Sequence, residues 1–284
     1  GFHGRTLGAL SCTNSKAIQK KNFFTIPMKR LPFNEQAGEK LERLLKQESS
    51  AQEIGFVILE PIQGEGGYNI APQKLIKTIR EITKNNNIPF IVDEVQSGMG
   101  RTGKWWAIQN YNIKPEIMSA AKALQVGATI ANRNIFPEAG SISSTWGGGH
   151  SLDLAIGAQV IKTIKKRKLL NNINKQGNYL KKRLQELENK NLITKTRGIG
   201  LMIAFDVSSS KARNNFIIEC LQNGLILLGC GEKSIRVLAP YIISNQEIDE
   251  AMNIMTSALK KVSTSSFRHN GNVCNYLTCG DAST

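Results

Sequence analysis

The chain has 284 residues, of which 40% are hydrophobic and 21% charged, a composition typical of globular proteins with a large core. Its formal net charge of +15 at pH 7 requires that nucleic-acid binding be considered. The basic residues are scattered, however, and the densest cluster, residues 162–168, lies on a helical pattern that favours a solvated helix face. No apolar run approaches the roughly 18 residues of a membrane span.

The cysteines and histidines are few and widely spaced. The odd number of cysteines and the absence of a pairing pattern predict reduced thiols and a cytoplasmic location. Neither residue type occurs at metal-ligand spacing, so no metal site is expected. These residues are Cys12, Cys220, Cys230, Cys274, Cys279, His3, His150 and His269.

Taken in chain order, hydrophobic periodicity predicts strands that alternate with helices and then a change of pattern. We predict helices over residues 5–14, 35–48, 72–84, 151–168, 172–189, 211–222 and 246–261. We predict strands that end at Glu60, Asp93 and Lys122, then strands over residues 128–133, 199–207, 225–228 and 235–238.

This order of elements indicates an α/β fold with a mostly parallel sheet flanked by helices and a smaller C-terminal α+β domain. We expect a large domain over residues 1–159 and a small one over residues 160–263. Residues 264–284 are polar and lack periodicity, which is typical of a disordered tail.

Three polar side chains follow apolar runs of the first half. Glu60 and Asp93 each end such a run, and Lys122 ends a third and weaker one. In an open α/β sheet, groups at the carboxyl ends of buried strands face the ligand crevice. Two acids and a lysine in one crevice predict Schiff-base chemistry, in which the lysine bonds to a carbonyl and an acid tunes a cofactor ring.

Several short motifs in a fixed order support a family assignment. Together they resemble those of the class III aminotransferases, the ω-aminotransferase group that uses pyridoxal phosphate. The motifs are FHGRT at residues 2–6, EPIQGEGG at 60–67, DEVQSGMGRTG at 93–103, AKAL at 121–124 and STWGG at 144–148. The resemblance covers residues 1 to about 262. It implies the fold type I large domain, a homodimer with shared active sites, and transamination with 2-oxoglutarate.

The resemblance also implies roles for the cofactor-binding residues. Lys122 would carry the cofactor covalently and later move a proton, and Asp93 would pair with the pyridine nitrogen. Gln96 would hydrogen-bond the ring hydroxyl, and Phe2 would stack on the ring. Thr145 would reach the cofactor phosphate of the neighbouring subunit.

For substrates, the resemblance implies three charged residues. Arg5 and Glu65 are predicted to form a paired gate that opens when a dicarboxylate binds, and Arg236 to grip an α-carboxylate with its planar fork. His3 is expected to pack rather than to act in catalysis. Glu94 is expected to point to the other face of the sheet.

Some features depart from the family pattern. Gly149-His150 stands where relatives carry Asn-Pro, and the Ser/Gly-rich phosphate loop is expected to precede residue 1, so we expect a truncated large domain. Sequence similarity leans towards lysine 6-aminotransferases, with 4-aminobutyrate, ornithine and acetylornithine enzymes close by. An aminomutase or a racemase of the same family, or an inactive fragment, remains the alternative.

Overall fold

The computed structural model describes residues 1–142 and 149–264. The α-helices of this part are α1 (Leu7–Cys12), α2 (Ala37–Gln47), α3 (Gln73–Asn85), α4 (Ser151–Lys166), α5 (Leu169–Asn189), α6 (Ser210–Gln222) and α7 (Asn245–Thr264). The strands are β1 (Val57–Leu59), β2 (Phe90–Asp93), β3 (Ile117–Ala120), β4 (Ala128–Ala131), β5 (Thr194–Ile199), β6 (Met202–Asp206), β7 (Leu228–Cys230) and β8 (Ser234–Val237). In the described part, no helix combines the length and the apolar character that crossing a membrane requires.

The first sheet has the strand order β1-β2-β3-β4. β1, β2 and β3 run parallel, and β4 returns antiparallel to β3. Leu59 pairs with Val92 and Asp93 with Ser119, so the carboxyl ends of the three parallel strands lie at one edge. The apolar face of α3, with Leu75 in its first turns, packs in the same core cluster as α2 and β2. Burial of that face holds α3 against the sheet, while the shared direction of β1, β2 and β3 sets the edge on which the polar groups lie.

The second sheet has the order β5-β6-β8-β7 and is antiparallel throughout. Every residue of β6 is buried, because both faces of this strand are covered. Ile203 and Phe205 face the helical layer, where Phe205 meets Phe216 of α6 edge-on with 6.0 Å between ring centroids. Met202 and Ala204 face the other way and pack against residues 62–68 of the first half. The second sheet therefore lies directly against the loop that carries Glu65.

The predicted fold class is confirmed, with a mostly parallel sheet in the first half and an α+β arrangement in the second. The predicted strand over 199–207 is β6, and β5 was missed. The predicted strand over 225–228 overlaps β7 only at Leu228. The domain boundary predicted at residues 159/160 lies inside α4 and stays a prediction. Most of the predicted tail, from residue 265 onward, lies outside the described residues.

Candidate active site

Asp93 lies at the carboxyl edge of the first sheet and is almost fully buried. Its Oδ2 lies 2.8 Å from Nδ1 of His3. Its Oδ1 accepts hydrogen bonds from the Ser119 hydroxyl, at 2.9 Å, and from the backbone N–H of Val95, at 3.0 Å. Ser119 is the register partner of Asp93 on β3, so the sheet itself brings the hydroxyl to the carboxylate.

These contacts decide the charge of Asp93. Burial favours the neutral acid, but the hydrogen bonds from His3, Val95 and Ser119 outweigh burial and lower the pKa of the Asp93 carboxyl below its usual value. The carboxylate is therefore ionised at neutral pH. A buried carboxylate of this kind can hold a proton on a ring nitrogen placed against it.

Glu60, the other predicted strand-end acid, has a different role. Its Oε1 accepts a hydrogen bond from the backbone N–H of Phe2, at 2.9 Å, and its Oε2 accepts one from Gly64, at 2.8 Å. Burial outweighs these bonds and raises the pKa of the Glu60 carboxyl. Glu60 thus ties the N-terminal segment and the glycine-rich loop to the end of β1. It anchors the two segments that carry Phe2 and Glu65.

Lys122 follows β3 at the same edge of the sheet. It opens a short 3₁₀ helix, Lys122–Leu124, and its backbone has a φ of 31°. Left-handed backbone is uncommon for a lysine, and strained residues concentrate at functional sites. Helix α4 crosses this turn closely, because a Cβ at Gly157 would lie 2.5 Å from the carbonyl oxygen of Leu124. The side chain of Lys122 is exposed.

Gln96 carries an unsatisfied polar atom near this edge. Its Oε1 is buried and has no hydrogen-bond partner within the described residues. A Cβ at Gly64 would lie 2.5 Å from Nε2 of Gln96, so only glycine fits at position 64 without displacing this amide. A buried acceptor without a donor is costly and is commonly explained by a group that binds there.

The charged pair of the site joins the two halves of the chain. Nη1 of Arg236, on β8, donates to Oε1 of Glu65 at 2.6 Å, and the side chains are 14% and 38% exposed. The predicted pairing of Glu65 with Arg5 is corrected here, because Glu65 binds Arg236 and Arg5 is exposed with no ion pair to Glu65. The reason is topological, since the second sheet packs on the loop from Gly64 to Gly67 and brings β8 to Glu65. Nε of Arg236 is buried and unpartnered within the described residues.

A family model described as aminotransferase class-III matches residues 1–259, which is most of the chain. The chain belongs to the class III aminotransferases. This confirms the family predicted from the five motifs. Class III aminotransferases are enzymes that use pyridoxal phosphate.

Relatives within the class III aminotransferases carry several substrate names. The acetylornithine aminotransferase of Prochlorococcus marinus is 37% identical over 92% of this chain, and the 4-aminobutyrate aminotransferase of Dictyostelium discoideum is 35% identical over 92%. The solved lysine aminotransferase of M. tuberculosis has a TM-score of 0.88 and 29% identity over 92% of this chain. The chain spans 64%, 57% and 65% of the length of these three proteins.

The residues of this class III site fit the ring of pyridoxal phosphate. Asp93 is the ionised carboxylate that a pyridinium nitrogen needs, and the unpaired Oε1 of Gln96 can accept from a ring hydroxyl. Phe2 is partly buried and is held beside the same edge by Glu60. Thr145, the predicted phosphate ligand, lies outside the described residues.

His3 and Glu94, which were not among the predicted site residues, both have defined hydrogen-bond partners. His3 was expected only to pack, yet it is hydrogen-bonded to Asp93. The FHGRT motif was visible in the sequence, but no local sequence pattern links His3 to a residue 90 positions away. Glu94 accepts from the Ser97 hydroxyl, at 2.6 Å, and from the N–H of Ile108, at 2.7 Å. Glu94 therefore stabilises the turns that follow β2, and it shares neither of these two partners with Asp93. No cluster of metal-ligating side chains occurs within residues 1–142 and 149–264.

Proposed function

We propose that this chain carries the catalytic lysine of a pyridoxal-phosphate-dependent transaminase. The amino group of an amino acid or ω-amine of the lysine, 4-aminobutyrate or ornithine type would be transferred to 2-oxoglutarate. The observation that carries the proposal is the buried, ionised Asp93 at the sheet edge that Lys122 follows. The family assignment supports the same reaction class.

Bound pyridoxal phosphate supplies an electron-accepting ring that stabilises negative charge on the substrate carbon. Asp93 would keep the ring nitrogen protonated, and the hydrogen bonds to His3 and Ser119 keep Asp93 ionised and oriented. Lys122 would hold the cofactor through its amino group, and the same amine, once released, would be the base that moves a proton at the substrate carbon. Phe2 would stack on the ring, Gln96 would accept a hydrogen bond from its hydroxyl, and Thr145 would bind the phosphate of the neighbouring subunit's cofactor.

Substrate choice depends on Arg236. In the absence of a dicarboxylate, Glu65 neutralises Arg236 and the site accepts an amine-bearing donor. When 2-oxoglutarate enters, its carboxylate takes the place of Glu65 on the guanidinium, whose Nε offers a second donor. Arg5, which is exposed in the N-terminal segment, is the second candidate ligand for the substrate carboxylate.

The assembly and location belong to the same proposal. We propose a cytoplasmic homodimer in which each subunit completes its neighbour's site. Within the donors, the lysine type is favoured by the motif similarity and by the fold match to the lysine aminotransferase of M. tuberculosis. Acetylornithine and 4-aminobutyrate remain donors to compare, because relatives carry those names.

Covalent trapping tests the proposal directly. The chain of residues 1–284 is mixed with pyridoxal phosphate, reduced with borohydride, digested and mapped by mass spectrometry. We expect the pyridoxyl adduct on Lys122, its loss in Lys122→Ala and its retention in Lys114→Ala, a control at an exposed lysine before β3. An adduct at another lysine, or none on a folded chain, overturns the proposal.

A second measurement separates transamination from the alternatives. Lysine, N-acetylornithine, 4-aminobutyrate and ornithine are each supplied with 2-oxoglutarate, and glutamate is quantified. Glutamate formation that depends on Lys122 supports transamination. Racemisation or isomerisation of the donor without glutamate would assign the chain to a racemase or aminomutase instead.

A further inference from the structure

The loop that carries Glu65 is fastened to the second sheet at two backbone points. The carbonyl oxygen of Glu65 accepts a hydrogen bond from the N–H of Gly231, at 2.8 Å. The carbonyl oxygen of Gly67 accepts from Nε of Arg197, at 2.8 Å, and also from Nη2 of the same side chain. The backbone that follows the Glu65 side chain is therefore held by Arg197 of β5 and by Gly231, in the turn between β7 and β8.

Arg197 is itself held in one orientation. Its Nη1 binds Oδ1 of Asp206 at 2.9 Å, and its Nη2 donates to the Ser234 hydroxyl at 2.7 Å. Ser234 in turn donates to Oδ1 of Asp206 at 2.5 Å, and these two residues are register partners on β6 and β8. The side chains of Arg197 and Asp206 are only 19% and 8% exposed. Such a partly buried, multiply bonded guanidinium loses little further side-chain freedom when it binds the loop.

The loop is strained and closely packed where Arg197 holds it. Gly67 has a φ of 107°, and a Cβ there would lie 3.3 Å from Nη2 of Arg197 and 3.2 Å from the Ser234 hydroxyl. Tyr68 follows with a φ of 57°, uncommon for an aromatic residue, and is fully buried. A strained backbone persists only where its surroundings over-determine it. The hydrogen bonds to the Gly67 carbonyl are part of those surroundings.

Arg197 and Arg236 act on the same loop from the same sheet. Arg236 lies two positions beyond Ser234 on β8, so the network around Arg197 sets the separation between the Glu65 backbone and Arg236. The Glu65 side chain is 38% exposed, which leaves it room to turn away while its backbone stays in place. The strength of the Glu65–Arg236 pair therefore depends on Arg197.

We propose that Arg197 is a positioning residue that keeps Glu65 within reach of Arg236 and thereby sets how much Arg236 is available to a substrate carboxylate. The proposal rests on the proposed function, in which Arg236 binds the dicarboxylate. Loosening the loop weakens the Glu65–Arg236 pair and raises the fraction of Arg236 that is free. Because apparent affinity scales with the competent fraction, a dicarboxylate then binds more tightly.

Hydrogen exchange tests the structural part without any cofactor. In Arg197→Lys, the charge remains but the fork that spans Gly67, Asp206 and Ser234 is lost. We expect faster amide exchange in residues 63–69 and unchanged exchange in β2 and β3. Arg80→Lys is the matched control, since Arg80 forms a comparably buried ion pair with Glu116 elsewhere. Unchanged exchange in residues 63–69 of Arg197→Lys overturns the proposal.

Glutarate, an unreactive dicarboxylate, tests the link to Glu65. By calorimetry on the cofactor-loaded chain, we expect Arg197→Lys to tighten glutarate binding by roughly threefold to tenfold, in the same direction as Glu65→Gln. In the Glu65→Gln background, Arg197→Lys should add no further tightening. Independent, additive effects overturn the positioning role. Absence of glutarate binding in every variant contradicts the proposed function instead, while loop exchange still decides whether Arg197 holds the loop.

Discussion

The two sheets contribute to the site in different ways. The first sheet presents Asp93 and Lys122 at or just beyond the ends of parallel strands, where three carboxyl ends meet at one edge. The second sheet presents Arg197 and Arg236 from within antiparallel strands, on the side that faces the loop from Gly64 to Gly67. Parallel topology places the groups proposed to bind the cofactor at one sheet edge, whereas packing of the second sheet onto a loop brings together the groups proposed to bind the substrate.

The charges of the two regions differ accordingly. In the first sheet, hydrogen bonds keep a buried carboxylate ionised against the effect of burial. In the second, the hydrogen bond to Glu65 and the charge of Glu65 outweigh burial and raise the pKa of Arg236, so the two charges stabilise each other. We therefore expect changes in the first sheet to affect every substrate and changes in the second to affect dicarboxylates selectively.

Asp93→Asn should have the largest effect. The amide retains the shape of Asp93 but cannot hold a proton on the ring nitrogen, so the rate with every donor should fall by about a hundredfold to a thousandfold. The measurement is glutamate formation per mole of bound cofactor. Asp153→Asn, on α4, is the matched control and should leave the rate unchanged. A rate loss confined to one substrate would contradict the assignment of Asp93 to the cofactor.

Arg236→Lys should distinguish most clearly between the roles of the two sheets. Lysine keeps the charge but not the bidentate fork, so KM for 2-oxoglutarate should rise by about tenfold to a hundredfold. The amine donor half-reaction, followed by cofactor absorbance, should change little. Arg5→Lys provides the comparison for the other predicted arginine. If Arg5→Lys raises the KM for 2-oxoglutarate more than Arg236→Lys does, then Arg5, and not Arg236, is the main ligand of the substrate carboxylate.

His3→Ala should change the titration of Asp93. The folded pKa of Asp93 lies below the usual aspartate value, so its stabilising contribution is complete above that value and is lost as pH falls through the lower folded pKa. Removing the His3 hydrogen bond raises the folded pKa and should cost about 1.5 kcal/mol at neutral pH. Carbon-13 NMR of labelled aspartate and urea unfolding across pH provide the measurements. An unaltered Asp93 titration would show that His3 only packs.

Arg80→Lys should have the smallest effect and none on chemistry. Arg80 binds both oxygens of Glu116, at 2.7 and 2.6 Å, and Glu116 also accepts from the N–H of Phe90. Loss of the two-point contact should lower the free energy of unfolding by about 1 kcal/mol. Urea unfolding measures this loss. A changed KM for 2-oxoglutarate in this variant would show that the first sheet also affects substrate choice.

Local pattern predicted the helices well and the strands unevenly. The helix predicted over 72–84 is α3, because its buried Leu75, Ile76 and Ile79 recur at helical spacing. β6 was found because strong burial on both faces gives a continuous apolar run. β5 was missed because Thr194–Ile199 has little apolar character and is a strand only through pairing with β6.

The sequence by itself determined the family, the fold class and the strand-end positions of Asp93 and Lys122, because these depend on short-range spacing and apolar periodicity. Tertiary structure alone decided that Glu65 pairs with Arg236, 171 residues away, and that His3 binds Asp93, 90 residues away. Such contacts form because two sheets pack against one loop and one N-terminal segment. No local pattern specifies which charged side chains meet there.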